Sequence, residues 1–346
     1  MKKFSFAVLP MAALLSACGG GGGNAGAASQ LKIVGSSTVY PFTTAIAEAF
    51  QKANPGSSAI VESTGTGAGI KLFCDGVGQN FPDMVNASRA MKRSEYDSCA
   101  KAGARQVIEV PIGIDGLTMI EANAAAPLKL TVADIYKALA ANPFGQGPNK
   151  AQTWKDVNPA LPAVKIRVLG PPPTSGTRDS LADLILTKGC ESNPAMVALK
   201  KSDEAKHKDV CTKIREDGAY VEAGENDNLL VQKVAADPGT VGVLGYSFLE
   251  QNADKVRPVE LGGVLPTEQT IQNLSYPGAR KLYVYVKGEH AAAKPGIKQF
   301  IAEYAKNWST GGLLEKRGLV PFGGGEAQAA AAQATALKPV DPATLK

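Results

Sequence analysis

The chain has 346 residues, 44% of them apolar, with 37 Lys and Arg against 32 Asp and Glu for a formal net charge of +5. That charge is small and spread along the sequence without a basic stripe, which argues against nucleic acid as a partner. The length supports roughly two domains. Past the first residues there is no second long apolar run, so the mature part reads as globular and water-soluble.

The N-terminus has the plan of a bacterial export signal, with Lys2 and Lys3 followed by a short apolar stretch at residues 4–15 and closed by Leu15-Ser16-Ala17-Cys18. A spanning helix needs about 20 apolar residues, and this stretch is shorter. Small residues before a cysteine resemble the lipobox of bacterial lipoproteins. In that reading residues 1–17 are a signal peptide and Cys18 is lipidated, becomes the mature N-terminus and anchors the protein to a membrane in the periplasm. An ordinary cleaved signal with an incidental cysteine is the competing reading. The Gly/Ala run that follows has no hydrophobic period, so residues 18–30 suit a flexible tether.

The mature chain opens with a strand at residues 31–35. Val39, Phe42, Ile46, Ala49 and Phe50 then recur at helical spacing until Asn54-Pro55-Gly56 stops the helix. A second strand at 59–62, a helix beginning at Ile70 and a third strand within 83–89 repeat the pattern. This repetition predicts an α/β sheet with its ligand edge at the carboxyl ends of the strands. Two apolar runs, 107–111 and 117–120, are joined by Ile112-Gly113-Ile114-Asp115-Gly116, where the chain crosses into a second lobe. That lobe is expected to hold a helix at 131–141, a strand at 164–169, a helix at 175–186 and a buried strand at 240–245. The chain returns with a strand at 281–286 and a helix at 297–308. Past Phe322 no core face is evident, and residues 323–346 read as a loosely ordered tail, although its alanines could form a helix. The predicted division is 31–112 with 281–322 for lobe one and 113–280 for lobe two. Such a chain closes two lobes on a ligand about a hinge.

Three Gly/Ser/Thr clusters run straight into predicted helices: Gly35-Ser36-Ser37-Thr38, Thr64-Gly65-Thr66-Gly67-Ala68-Gly69 and Thr174-Ser175-Gly176-Thr177. A helix N-terminus presents unpaired N–H groups and partial positive charge, small residues let backbone approach an anion, and hydroxyls add donors. With Arg89 and Arg178 nearby in sequence, the trio predicts a cage for one small oxyanion. Capping alone, at about 1 kcal/mol each, is the alternative for any single cluster. Structural ion pairs with Asp83 or Asp179 are the alternative for the two arginines.

Apart from Cys18 there are four cysteines, Cys74, Cys99, Cys190 and Cys211. An even count in an exported chain points to disulfides. Of three connectivities, the short loops favour Cys74–Cys99 and Cys190–Cys211, each at about 3 kcal/mol in the chain-entropy model. A zinc site competes, but it has no CxxC spacing and only His207 and His290 to draw on.

The order of these landmarks, together with Ala87-Ser88-Arg89, Pro111-Ile112-Gly113-Ile114-Asp115-Gly116 and Tyr276-Pro277-Gly278-Ala279-Arg280-Lys281-Leu282-Tyr283, resembles the periplasmic phosphate-binding proteins of bacterial ABC transporters from about residue 31 to 322. The resemblance implies a two-lobed type II periplasmic-binding fold with the ligand in the interlobe cleft, no enzymatic activity, no cofactor, and delivery of inorganic phosphate to a membrane permease. By position it implies ligand contacts from Ser37, Thr38, the Val39 amide, Thr66, Ser88, Arg89, Ser175, Gly176 and Thr177, with Arg178 as the charged clamp.

Two departures stand out. Some relatives carry an aspartate where Arg89 stands, and that carboxylate accepts the proton that phosphate has and sulfate lacks. Here the acceptor must come from elsewhere, with Asp115 and Asp227 the candidates and Glu225 behind them. The run Pro171-Pro172-Pro173-Thr174 looks like an insertion and leaves Arg167 competing with Arg178 as clamp. Other tetrahedral oxyanions, sulfate or a phosphonate, are the alternative ligands. A secreted phosphatase using Ser37 or Ser175 would need a nearby base, and the polar, Lys-rich surroundings of His207 and His290 read as solvated surface.

Overall fold

The computed structural model describes residues 30–173, 175–224 and 226–345; the segment read above as an export signal and tether, with Cys18, lies outside them, as do Thr174 and Glu225. Three parallel strands begin the chain, β1 (Gln30–Gly35), β2 (Ser58–Ser63) and β3 (Met84–Ala87), with β1 between the other two. The two apolar runs and the link between them form a single 16-residue strand, β4 (Val107–Ala122), not two elements and a joint. Then come β5 (Lys129–Leu130), β6 (Val168–Gly170), β7 (Tyr220–Glu222), β8 (Val241–Gly245), β9 (Val256–Pro258), β10 (Glu260–Leu261) and β11 (Ala279–Lys287).

The main sheet has the order β2-β1-β3-β11-β4-β8-β6-β7, and β9 also pairs with β4. β4 is shared by both lobes. Its first part, Val107 to Gly116, runs antiparallel to β11, and its end, from Leu117, pairs with β8 and β9. Opposite Pro111 the β11 register shifts between Leu282 and Tyr283. Proline cannot donate to the ladder, and a bulge bends the strand that carries it.

Lobe one packs the helix Tyr40–Ala53 against the helix Pro295–Asn307. Phe42, Ile46 and Phe50 are buried, and Phe50 meets Phe300 edge-on at 5.3 Å. Pro41 fits the first turn, where its missing N–H costs nothing. In lobe two Thr131 and Asp134 form a capping box for the helix Val132–Leu139, which buries Ile135, Tyr136 and Leu139. Trp154 and Trp308 are core residues, and Tyr40 is 37% exposed. The predicted strand at 164–169 contracts to Val168–Gly170, and the helix starting at Gly176 continues through a wider turn at Leu181–Leu186 to Cys190.

The C-terminal tail is a correction. The segment expected to be loosely ordered, residues 323–346, holds a helix, Gly324–Ala336, whose Ala330 and Ala334, one turn apart, are buried. Lys281 holds its start through Glu326, and Gln333 donates to the Glu109 carbonyl at 3.0 Å. The chain then lies along the start of β4, with Val340 N–H donating to the Val107 carbonyl. An alanine face has little area, but it allows close approach to the strand beneath.

Cys74 is bonded to Cys99 and Cys190 to Cys211, closing loops of 25 and 21 positions as the spacing predicted. The sulfurs that the zinc reading needed as thiolates are therefore bonded to each other. Both histidines overturn the expectation of solvated surface, each being only 4% exposed. His290 Nδ1 lies 2.7 Å from Asp83 Oδ1, and its Nε2 accepts the Gly78 N–H at 2.8 Å. His207 lies against Glu191 at 3.3 Å.

Candidate functional site

The site is built where strand ends become helix starts. β1 ends at Gly35, whose φ of 123° and 2.2 Å approach of a Cβ position to the Asn86 carbonyl admit only glycine. The chain turns through Ser36, Ser37 and Thr38 into the helix Tyr40–Ala53. From β2 it enters the helix Thr66–Cys74 through Gly65, at φ 81°. Thr66 Oγ1 lies 3.0 Å from Ser88 Oγ at the end of β3 and accepts the Ser88 N–H at 3.1 Å. From the second lobe Ser175 caps the helix Gly176–Ser180, accepting the Thr177 N–H.

The lobes meet at these loops. Thr38 Oγ1 donates to the Gly176 carbonyl at 3.1 Å, and Ser37 Oγ donates to the Asp179 carboxylate. A Cβ on Gly176 would stand 2.5 Å from Thr38 Cα and 2.7 Å from the Ser37 carbonyl. Both obstacles are backbone, so only glycine allows this approach. The bridge divides the cleft into two cavities. The larger, about 1050 Å³, is lined by Ser37, Thr66, Ser88, Arg89, Arg178, Asp179, Asp183 and Arg280 among others. The smaller, about 370 Å³, has Thr38, Ser175, Gly176, Thr177, Asp115 and Asp227 on its walls, with Ser37 common to both.

Arg280 is the charged centre. It lies in β11 directly across from Asp115 in β4, and its side chain is 9% exposed. Nε donates to Asp115 at 3.2 Å and Nη1 to Asp183 at 3.0 Å. Nη2 donates to Thr38 Oγ1 at 2.9 Å and Ser180 Oγ at 2.7 Å. One guanidinium thus touches lobe one, lobe two and the strand pair that joins them. Asp179 sits beside it. Burial pushes its carboxyl above the ordinary range and Asp183 adds to this, while Arg280, Lys208 and Arg178 pull the other way.

A family model described as a PBP superfamily domain matches residues 22–307. The chain belongs to the PBP superfamily. Over 296 residues it is 33% identical to Protein SphX of Synechococcus elongatus, covering 83% of this chain and 76% of that one. It is 29% identical over 316 residues to the phosphate-binding protein PstS of Staphylococcus saprophyticus, covering 87% and 85%. A possible phosphate binding protein from Planctomyces limnophilus has a similar structure, at TM-score 0.69 and 26% identity over 89% of this chain and 99% of that one. An ABC-type phosphate transport receptor from Vibrio cholerae shares the fold at TM-score 0.58 and 20% identity, over 85% and 100%. The architecture is the two-lobed α/β type II periplasmic-binding fold that the sequence led us to expect.

Within this PBP-superfamily protein the predicted residues separate. Ser37, Thr66, Ser88, Arg89 and Arg178 share the larger cavity, whereas Thr38, Ser175, Gly176 and Thr177 face the smaller one. Val39 is fully buried and lines neither cavity, and its N–H is directed to Ser36 Oγ at 3.4 Å. Arg89 makes the structural ion pair, but with Glu95, not with Asp83 or Asp179. Both of its terminal nitrogens engage the carboxylate, at 2.9 and 2.7 Å. Burial works against the Glu95 charge, yet the Arg89 fork and the Lys92 N–H hold its carboxyl below the usual range. Arg178 donates to the Pro171 carbonyl at 3.2 Å and lies 4.5 Å over the Tyr220 ring; burial drives the Tyr220 hydroxyl up to about 12. Arg167 is an exposed partner of Asp237 and lines neither cavity. Neither His207 nor His290 lines either of these two cavities. Arg280 stands within the Tyr276–Tyr283 motif, but nothing local in the sequence gives it this role. Its partner in β4 is 165 positions away, and strand pairing was the missing signal.

Proposed function

We propose that the chain is an extracytoplasmic receptor that captures inorganic phosphate between its lobes and delivers it to an ABC permease. The observation that carries this is the larger cavity, where hydroxyls of lobe one, Ser37, Thr66 and Ser88, face the buried Arg280 and the Arg178 of lobe two. A preorganised guanidinium with converging hydroxyl donors suits a tetrahedral oxyanion. Relatives bearing phosphate-binding names support phosphate over other anions. The lobes of the proposal are residues 31–112 with 281–322 and residues 113–280, hinged on β4 and β11. Cys18 carries the lipid that holds the receptor at a membrane; no helix among the described residues is long and apolar enough to cross one.

The test is equilibrium binding of labelled phosphate to the full mature chain, with sulfate and a phosphonate as competitors and a chromogenic phosphomonoester run alongside. Saturable one-to-one phosphate binding without ester hydrolysis is expected. Turnover of the ester, or sulfate binding within about threefold of phosphate, a difference under 1 kcal/mol, overturns the reading. In the same preparations Cys18→Ser should move the protein from membrane to soluble fractions; identical fractionation removes the anchor.

A further inference from the structure

The Cys190–Cys211 disulfide has a buried neighbour that the anion cleft does not use. Cys190 ends the helical turn Thr187–Cys190, and Cys211 lies on the helix Glu204–Thr212. His207 precedes Cys211 by four residues on that helix, and side chains four apart stand one above the other on one face. The meeting of these two segments gathers three metal-ligating side chains. Both sulfurs and a ring nitrogen of His207 lie within 4.8 Å of one another, and among the described residues no other three His, Cys, Asp or Glu side chains are gathered so closely.

Packing alone does not account for this imidazole. His207 is 4% exposed, and its Nε2 is buried with no hydrogen-bond partner among the described residues. Glu191 Oε1 is 3.3 Å away but is engaged by Lys200 Nζ at 2.7 Å. A buried polar nitrogen left unpaired is costly, and imidazole nitrogen is the donor that zinc takes together with thiolate sulfur. On one tetrahedral zinc ion such sulfur and nitrogen ligands stand about 3.5–3.8 Å apart, from bond lengths of about 2.3 Å and 2.0–2.1 Å. The 4.8 Å grouping encloses that spacing.

We propose that Cys190, Cys211 and His207 form a redox-gated zinc site: with the disulfide reduced, the two thiolates and the imidazole bind one zinc ion, and with the disulfide formed the site is closed to metal. Opening it takes a dithiol reductant. The Cys190–Cys211 S–S bond breaks, the two sulfurs of the dithiol join, and two electrons and two protons pass to the cysteines. Both thiol protons leave to solvent as the sulfurs bind zinc. The fourth position falls to water, reached past Glu191, whose side chain is 27% exposed. The metal then ties Thr187–Cys190 to the helix Glu204–Thr212, as the disulfide does. None of the three ligands lines either cleft cavity, so the site stands apart from the oxyanion reading.

The experiment uses the full mature chain carrying Cys18→Ser, which removes the fifth thiol. It is reduced with dithiothreitol in urea, freed of both without air, and refolded with and without zinc chloride. Far-ultraviolet circular dichroism reports refolding, elemental analysis after desalting reads metal per chain, and cobalt(II) replaces zinc for spectroscopy. The oxidised chain should hold no zinc. The reduced chain should hold one zinc per molecule, melt at a higher temperature with zinc than without, and with cobalt show thiolate-to-metal charge transfer. Cys74→Ser with Cys99→Ser should leave all of this unchanged, whereas Cys190→Ser with Cys211→Ser should abolish it. His207→Gln should weaken zinc binding by more than about tenfold, the least that losing even a residue that only orients a ligand costs. Zinc on the oxidised chain at equal stoichiometry overturns the proposal, as do its absence from a refolded reduced chain, its loss with the Cys74 pair, and an unchanged affinity in His207→Gln. A reduced chain that stays unfolded even with zinc also overturns it, because the metal would then not hold what the disulfide holds.

Discussion

Replacing Arg280 by Ala is expected to weaken phosphate binding by roughly 30- to 1,000-fold, because a charge-assisted pair that leaves its partner buried and unpaired costs a few kcal/mol when cut. The loss is larger than one contact. Arg280 also neutralises Asp115 and Asp183 and donates to Thr38 and Ser180. Without it the cleft would face an incoming anion with two uncompensated carboxylates. Arg167→Ala, on the exposed Asp237 pair, should change affinity by less than about twofold, as surface pairs contribute little. Equilibrium binding on the three proteins decides it. An Arg280→Ala protein that holds phosphate as wild type does would leave Arg178 as the clamp.

The second large effect is on stability. Asp83 is fully buried and accepts from the Lys32 N–H, from His290 and, with both oxygens, from Lys294. Asp83→Asn removes the negative charge from among these donors. Breaking a buried ion pair from one side typically costs about 3–5 kcal/mol, and that is the expected fall in unfolding free energy by urea denaturation. The pH dependence has a definite sign. Burial raises the Asp83 pKa, but the His290, Lys294 and Lys32 bonds outweigh it and the net direction is down. A depressed carboxyl contributes stability that is complete above its unfolded value of about 3.9 and is lost as pH falls through the lower folded value. Wild type should therefore lose this contribution in acid, and Asp83→Asn should show a shallower acid limb. Equal urea midpoints at neutral pH would mean that the network contributes nothing net.

Local chemistry was legible in the sequence; long-range pairing was not. The glycine clusters before Tyr40, Thr66 and Gly176 announced where strands give way to helices, and the cysteine spacing gave both disulfides. The clusters alone did not reveal that the Ser37–Asp179 and Thr38–Gly176 contacts would part them into two cavities. Arg280 and Asp115 become neighbours only through the register of β11 on β4. His290 was masked by its polar sequence neighbours, since burial was supplied by Asp83, more than two hundred positions earlier. The helix Gly324–Ala336 offered alanines instead of large apolar residues at helical spacing, so its buried face left no strong periodic mark.

The place of β11 in the sheet bears on how the chain is made. It lies between β3 and β4, so the first lobe has a missing slat until residues 279–287 arrive. Everything before that point, including all of β4, is left with two open strand edges that nothing nearer in sequence fills. Pairings this distant close slowly, because the intervening loop must be ordered first. A nascent chain therefore cannot complete its first lobe before most of its length has been made. The late strand thus ties completion of the first lobe to the arrival of the C-terminal part of the chain.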